Sequence, residues 1–175
     1  LFVPVDCSIL YTRHPDVLRR AFSLVPEYLT TTDPSDVRNL MDYGISLGRR
    51  FRALKLWFVL RFFGAEGLGA RIAEHVRLAR LFRDWVDADA GFERLAPCEL
   101  SVVVFRHRPA GLDEARLDSR NQALLERVNA SGEVFLSHTR VRGRYAIRLA
   151  VGNLRTEERH VRRAWELLRE AAGAL

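Results

Sequence analysis

Ile45-Ser46-Leu47-Gly48-Arg49-Arg50-Phe51-Arg52-Ala53-Leu54-Lys55-Leu56-Trp57-Phe58 is the stretch on which the fold turns. It opens like the start of a helix and then becomes apolar on nearly every side, through Phe51, Leu54, Leu56, Trp57, Phe58, Val59, Leu60, Phe62 and Phe63. A surface helix keeps one apolar stripe, so a helix of this kind is expected to be buried between layers or between subunits. It does not suit a bilayer. The uninterrupted apolar run is only Leu56 to Leu60 before Arg61, against the roughly 20 residues that a membrane helix needs.

The whole chain of 175 residues is 48% hydrophobic and 29% charged, a folding composition rather than a disordered one. Its net charge of +6 raises the question of nucleic acid. Reading the basic residues singly answers it. Lys55 is the only lysine; the arginines are scattered from Arg13 to Arg169 among acids, and no basic run exceeds a pair such as Arg49-Arg50. No nucleic-acid partner and no membrane partner is expected. Cys7 and Cys98 are far apart and show no metal-ligand spacing, and the five histidines share none either, so no metal is expected. The opening residues lack the basic region and cleavage site of a signal peptide. Together with the lone cysteines this gives a cytoplasmic expectation.

Residues 2–12 read as a buried strand, and Pro15-Asp16 opens a short helix through about Phe22. From about 23 to 45 the periodicity fails, with Pro26, Thr30–Thr32, Asp33-Pro34 and Gly44 marking a long loop. Loops of this length inside a compact domain are usually functional lids or disordered segments, so function is expected here. Two helices follow at about 48–63 and 66–88, separated near Gly64. The inner side of the second is expected to carry Leu68, Ile72, Val76, Leu78, Ala79, Phe82 and Val86. Strands are expected at 92–95 and 99–106, then a loop from Pro109 to Leu117 and a helix over 118–130 ended by Ser131-Gly132. A hairpin over 133–139 and 144–151 turns at Arg142-Gly143. Thr156 is expected to cap the last helix. This order makes the C-terminal part an α+β layer, an antiparallel sheet with helices on one face.

Five separated motifs carry a resemblance. SLGRRFRALKLWFVLR (46–61), Asp6-Cys7-Ser8, Leu24-Val25-Pro26-Glu27-Tyr28-Leu29, Glu74-His75-Val76-Arg77-Leu78-Ala79 and His160-Val161-Arg162-Arg163-Ala164-Trp165-Glu166 occur in an order that closely resembles the group II pyridoxal-phosphate amino-acid decarboxylases. The resemblance runs the length of the chain, and several motifs in sequence are far more specific than one. It implies an α/β fold-type-I enzyme. Residues 1–54 would be the end of its cofactor-binding large domain, with the catalytic loop at about 23–45, and residues 55–175 its small α+β domain. It also implies that the family's Asn-Pro-His-Lys-Trp segment, with the Schiff-base lysine, should lie immediately before Leu1. No cofactor-binding residue is then expected in this chain, which would be the C-terminal third or so of the enzyme and inactive alone.

The same resemblance assigns roles. The implied reaction removes the α-carboxylate of an aromatic L-amino acid, with pyridoxal 5'-phosphate drawing electrons from the Cα–carboxylate bond. Tyr28, on the loop, is the implied general acid that returns a proton to Cα; a phenol with pKa of about 10 stays protonated at neutral pH. Read without the resemblance, Tyr28 is an aromatic anchor that docks a loop. Leu47 and Gly48 are the implied lining of the substrate side-chain pocket, where a missing Cβ leaves room for a larger ring; Gly48 equally well permits the chain to enter a buried helix. Lys55 is mid-helix with no strand-to-turn context and reads as structural. Gly44 follows Asp42-Tyr43 where many relatives carry Arg. Family members are homodimers, in which the loop and the Leu47-Gly48 turn would serve the partner's site. The competing reading is a non-catalytic α+β interaction module that keeps only the framework.

Overall fold

The computed structural model describes residues 2–23 and 38–175. They form two compact units, Val3–Phe62 and Phe63–Leu175, with Phe2 belonging to the second.

In the N-terminal unit, α1 (Pro15–Phe22) follows its sequence signals closely, with Pro15 in the first turn, Asp16 at the positive end, and Arg19 and Arg20 at the negative end. A short 3-10 turn spans Leu40–Tyr43. The helix α2 runs Arg52–Ala88, but Gly64 leaves helical geometry at φ 66° and ψ 175°. A positive φ costs glycine little, and the helix is interrupted there as its sequence implies. Residues 3–12 correct an expectation, for they form no strand. Val5, Leu10 and Tyr11 are largely exposed. A strand requires a neighbour for its N–H and C=O groups, and no described residue pairs with this segment. Of the described residues 3–62 only Asp42 is buried.

The C-terminal unit has its own core. Strands β1 (Phe92–Arg94), β2 (Val102–His107), β3 (Ser137–Val141) and β4 (Arg144–Ala150) form one antiparallel sheet in the order β1-β2-β4-β3. The register sets Phe105 opposite Ile147 and Val103 opposite Leu149. Strand alternation therefore turns these four side chains to one face. They join Leu78, Phe82 and Val86 of α2, Leu124 and Val128 of α3 (Glu114–Ala130), and Val161, Trp165 and Leu168 of α4 (Glu158–Gly173) in one cluster. Phe82 is its centre, with rings of Phe105 at 5.2 Å and Trp165 at 5.6 Å in edge-on contact.

Local chemistry moves several boundaries. Helix α3 begins at Glu114 rather than 118, because the Asp113 carboxylate accepts from Arg116 N at 2.8 Å and caps it. Strand β3 begins at Ser137 rather than 133. Asn129 holds the preceding segment in a loop, accepting from Leu136 N at 2.8 Å and donating to Leu136 O at 2.9 Å. The cap of α4 is Glu157, not Thr156. Its carboxylate accepts from the backbone three residues on, while His160 Nδ1 accepts from Glu157 N at 3.0 Å. Histidine thus fills the place that Glu takes in an ordinary capping box. The hairpin turn is as expected, with Arg142 at φ 51° and Gly143 at φ 81°, both positive as a two-residue type I′ turn demands.

The inner side of α2 departs from periodicity at one turn. Ile72 is exposed, whereas His75 is buried with the Phe2 ring edge-on at 5.4 Å.

Candidate functional site

Leu47 and Gly48 belong to the N-terminal unit. Tyr28 lies outside the described residues, so its surroundings are not part of the geometry. Leu47 and Gly48 lie in the irregular segment between the 3-10 turn and α2, and both are exposed. A Cβ built on Gly48 would meet nothing within 4 Å, and its backbone is not in the left-handed region. Nothing within the described residues therefore requires glycine at position 48. Any demand for the missing Cβ comes from a neighbour other than these residues. Beside Gly44, the Arg49 guanidinium occupies the space a side chain would take.

Among the described residues, two ion-pair groups organise this unit. The Arg52 Nε donates to Asp6 at 2.6 Å, and Lys55 Nζ lies 3.9 Å from the same carboxylate. The Arg52 guanidinium, with Lys55 adding to it, holds the Asp6 carboxyl below its ordinary range. Arg19 lies 3.9 Å from the buried Asp42. The pairing of Asp6 with Arg52 joins residues 46 positions apart, and neither periodicity nor motif reading reveals it. A shallow cavity of about 410 Å³ opens over this cluster, lined by Asp6, Arg50, Phe51, Lys55 and Phe58 among others. Another cavity, of about 490 Å³, lies in the C-terminal unit between β4 and the start of α4, and none of the candidate residues lines it.

The start of α2 and the residue before it leave large aromatic rings open. Phe51 is 76% exposed, Trp57 54% and Phe58 57%. A helix expected to be buried on most sides thus stands uncovered among the described residues. Those residues contain no group of three or more metal-ligating side chains, and no helix long and apolar enough to cross a membrane.

Comparison with known proteins bears on these features. The model of the pyridoxal-dependent decarboxylase conserved domain matches residues 1–108. A tryptophan decarboxylase of Camptotheca acuminata is 41% identical over 174 residues, which is 98% of this chain and 35% of that protein. A phenylacetaldehyde synthase of Arabidopsis thaliana is likewise 41% identical, over 97% of this chain and 35% of its own length. The crystal structure of Catharanthus roseus tryptophan decarboxylase in complex with L-tryptophan superposes with a TM-score of 0.79 at 39% identity, covering 91% of this chain and 34% of that one. The chain spans about a third of the length of the relatives it matches.

Pyridoxal phosphate requires a lysine amine to hold it covalently and donors for its phosphate. The single lysine, Lys55, sits inside α2 and is ion-paired with Asp6. The described residues do not fit that cofactor by themselves. The domain match over more than half of the chain, and sequence identity that runs on through the small α+β sheet, place it nonetheless: the chain belongs to the pyridoxal-dependent decarboxylase family.

Proposed function

We propose that the protein containing this chain is a pyridoxal-phosphate-dependent carboxy-lyase that removes the α-carboxylate of an aromatic L-amino acid, releasing an amine and CO2. The observation that carries this reading is the 41% identity to a tryptophan decarboxylase across 98% of the chain. The cofactor's chemistry, when it is bound, is to draw electrons from the bond to the carboxylate. Its holding residues are proposed to lie in the part of the relatives that this chain does not match. Residues 1–54 then close the large domain and 55–175 form the small one.

Within this chain the proposed working residues are three. Tyr28 holds a phenolic proton and delivers it to the substrate Cα, which fixes the outcome as an amine. Leu47 and Gly48 line the space for the aromatic ring. A homodimer is part of the proposal, supported by the open face at Phe51, Trp57 and Phe58. Covering each such side chain is worth about 1.5–3 kcal/mol. The free thiols of Cys7 and Cys98 support a cytoplasmic setting.

Identity alone does not separate decarboxylation from aldehyde formation, since the phenylacetaldehyde synthase is equally similar. Tyr28 favours the amine. The test is product analysis with the full-length protein and a panel of L-amino acids. Amine from tryptophan, tyrosine or DOPA supports the reading, and aldehyde with peroxide from the wild-type protein overturns the role of Tyr28. A folded protein that turns over no amino acid supports the non-catalytic module instead.

A further inference from the structure

His107, the last residue of β2, is a buried histidine whose proton position is dictated by its neighbour. Its Nδ1 accepts a hydrogen bond from Arg120 Nε at 3.0 Å. A guanidinium has donors only, so Nδ1 must present a lone pair and the ring must be neutral, with its proton on Nε2. The same Arg120 donates through Nη2 to the carbonyl of Ala172 at 2.9 Å, in the last turn of α4. One arginine thus ties the end of a central strand to the end of the C-terminal helix, and its bond to His107 requires the neutral ring.

We propose that His107 and Arg120 form an acid-released latch on the C-terminal end of α4. Protonation turns Nδ1 into a donor that faces a donor and sets an imidazolium against a guanidinium. Arg120 is then expelled, the Ala172 carbonyl loses its partner, and the last turn of α4 opens.

The groups around His107 fix the direction. From α3 it faces Arg120, and Asn121 binds its backbone N–H and C=O. From β1 the apolar ring of Phe92 lies at 4.9 Å. The turn before β1 brings Asp89, which favours the protonated ring, but that carboxylate already accepts from Gly91 N at 2.9 Å and pairs with Arg169 of α4 at 3.4 Å. Arg106 and Arg108 flank it in sequence and are engaged with Glu93. Burial, then the Arg120 charge, hold the imidazole below its ordinary value of 6.5, with Asp89 a smaller opposing influence. A folded-state value below the unfolded one means that opening takes up a proton. The latch is therefore at full strength above pH 6.5 and weakens as pH falls through the folded value.

Hydrogen exchange of the full-length protein, followed by mass spectrometry on the peptide covering residues 168–175, reads this directly. Between pH 7.5 and 5.0, after correction for intrinsic exchange, opening should be flat at first and then rise by up to about ten-fold per pH unit. His107→Asn keeps an acceptor near Nδ1 that cannot be protonated, and should abolish the rise. Arg120→Met should open the same peptide equally at every pH. A wild-type peptide with no pH-dependent opening overturns the latch, as does an unchanged rise in His107→Asn. Should that variant fail to fold, an unchanged rise in Arg120→Met overturns it equally.

Discussion

Asn121 is fully buried, and its carboxamide replaces a missing piece of sheet. His107 lies beyond the part of β2 that is paired with β4, and Asn121 supplies its hydrogen bonds instead. The Oδ1 accepts from His107 N at 2.7 Å, while Nδ2 donates to His107 O and to Leu117 O, both at 2.8 Å. Asn121→Ala removes all three. Leu117 O can keep its bond from the helix backbone, so two buried backbone groups are orphaned, at about 1–3 kcal/mol each. The expected loss is about 3–5 kcal/mol once the small cavity is added. Asn121→Leu separates the two causes, since it refills the volume without restoring a bond, and should still lose about 2 kcal/mol or more. The exposed neighbour Gln122, bonded only to Glu126 at 3.0 Å, should change stability by less than about 0.5 kcal/mol as Gln122→Ala. Urea unfolding followed by fluorescence of Trp85 and Trp165 reports the midpoint at constant slope. Wild-type stability in Asn121→Leu would refute the hydrogen-bond reasoning and leave packing as the cause.

Phe82→Ala empties the centre of the core and should lose about 3–5 kcal/mol in the same assay. Glu157→Ala should lose about 0.5–2 kcal/mol and Thr156→Ala almost nothing, which decides the identity of the α4 cap by paired thermal melts. Arg142→Asn should raise stability by a few tenths of a kcal/mol to about 1 kcal/mol, because asparagine suits the positive φ that arginine tolerates poorly. In the full-length protein, a Tyr28→Phe subunit mixed with one lacking the Schiff-base lysine should regain about a quarter of the sites if the loop works in the partner's site, by the two-fold arithmetic of random pairing; mixed dimers that stay inactive contradict that placement.

Elements with strong local chemistry are legible without coordinates. Pro15 and Asp16 mark α1, Gly64 marks the interruption of α2, and Arg142-Gly143 marks the hairpin, because each acts through its own backbone. What depends on distant partners is not legible. The apolar run at 2–12 has the composition of a strand, yet no described residue pairs with it. Ile72 and His75 exchange burial because Phe2 packs on the histidine, and Arg106 is buried on a strand because Glu93 and Glu114 meet it there. Asp113 and Glu157 carry capping signals that are visible in the sequence but compete with equally good neighbours. The family is legible from five ordered motifs. The roles proposed for Tyr28, Leu47 and Gly48 rest only on that resemblance, since no periodicity or spacing sets them apart.

The most direct test is stoichiometric. Full-length protein supplied with pyridoxal phosphate should convert a carboxyl-labelled aromatic L-amino acid into one equivalent of labelled CO2 and one of amine, without consuming oxygen. Labelled CO2 accompanied by aldehyde and oxygen uptake, or no release of label from a folded and cofactor-loaded protein, would contradict the proposed decarboxylation.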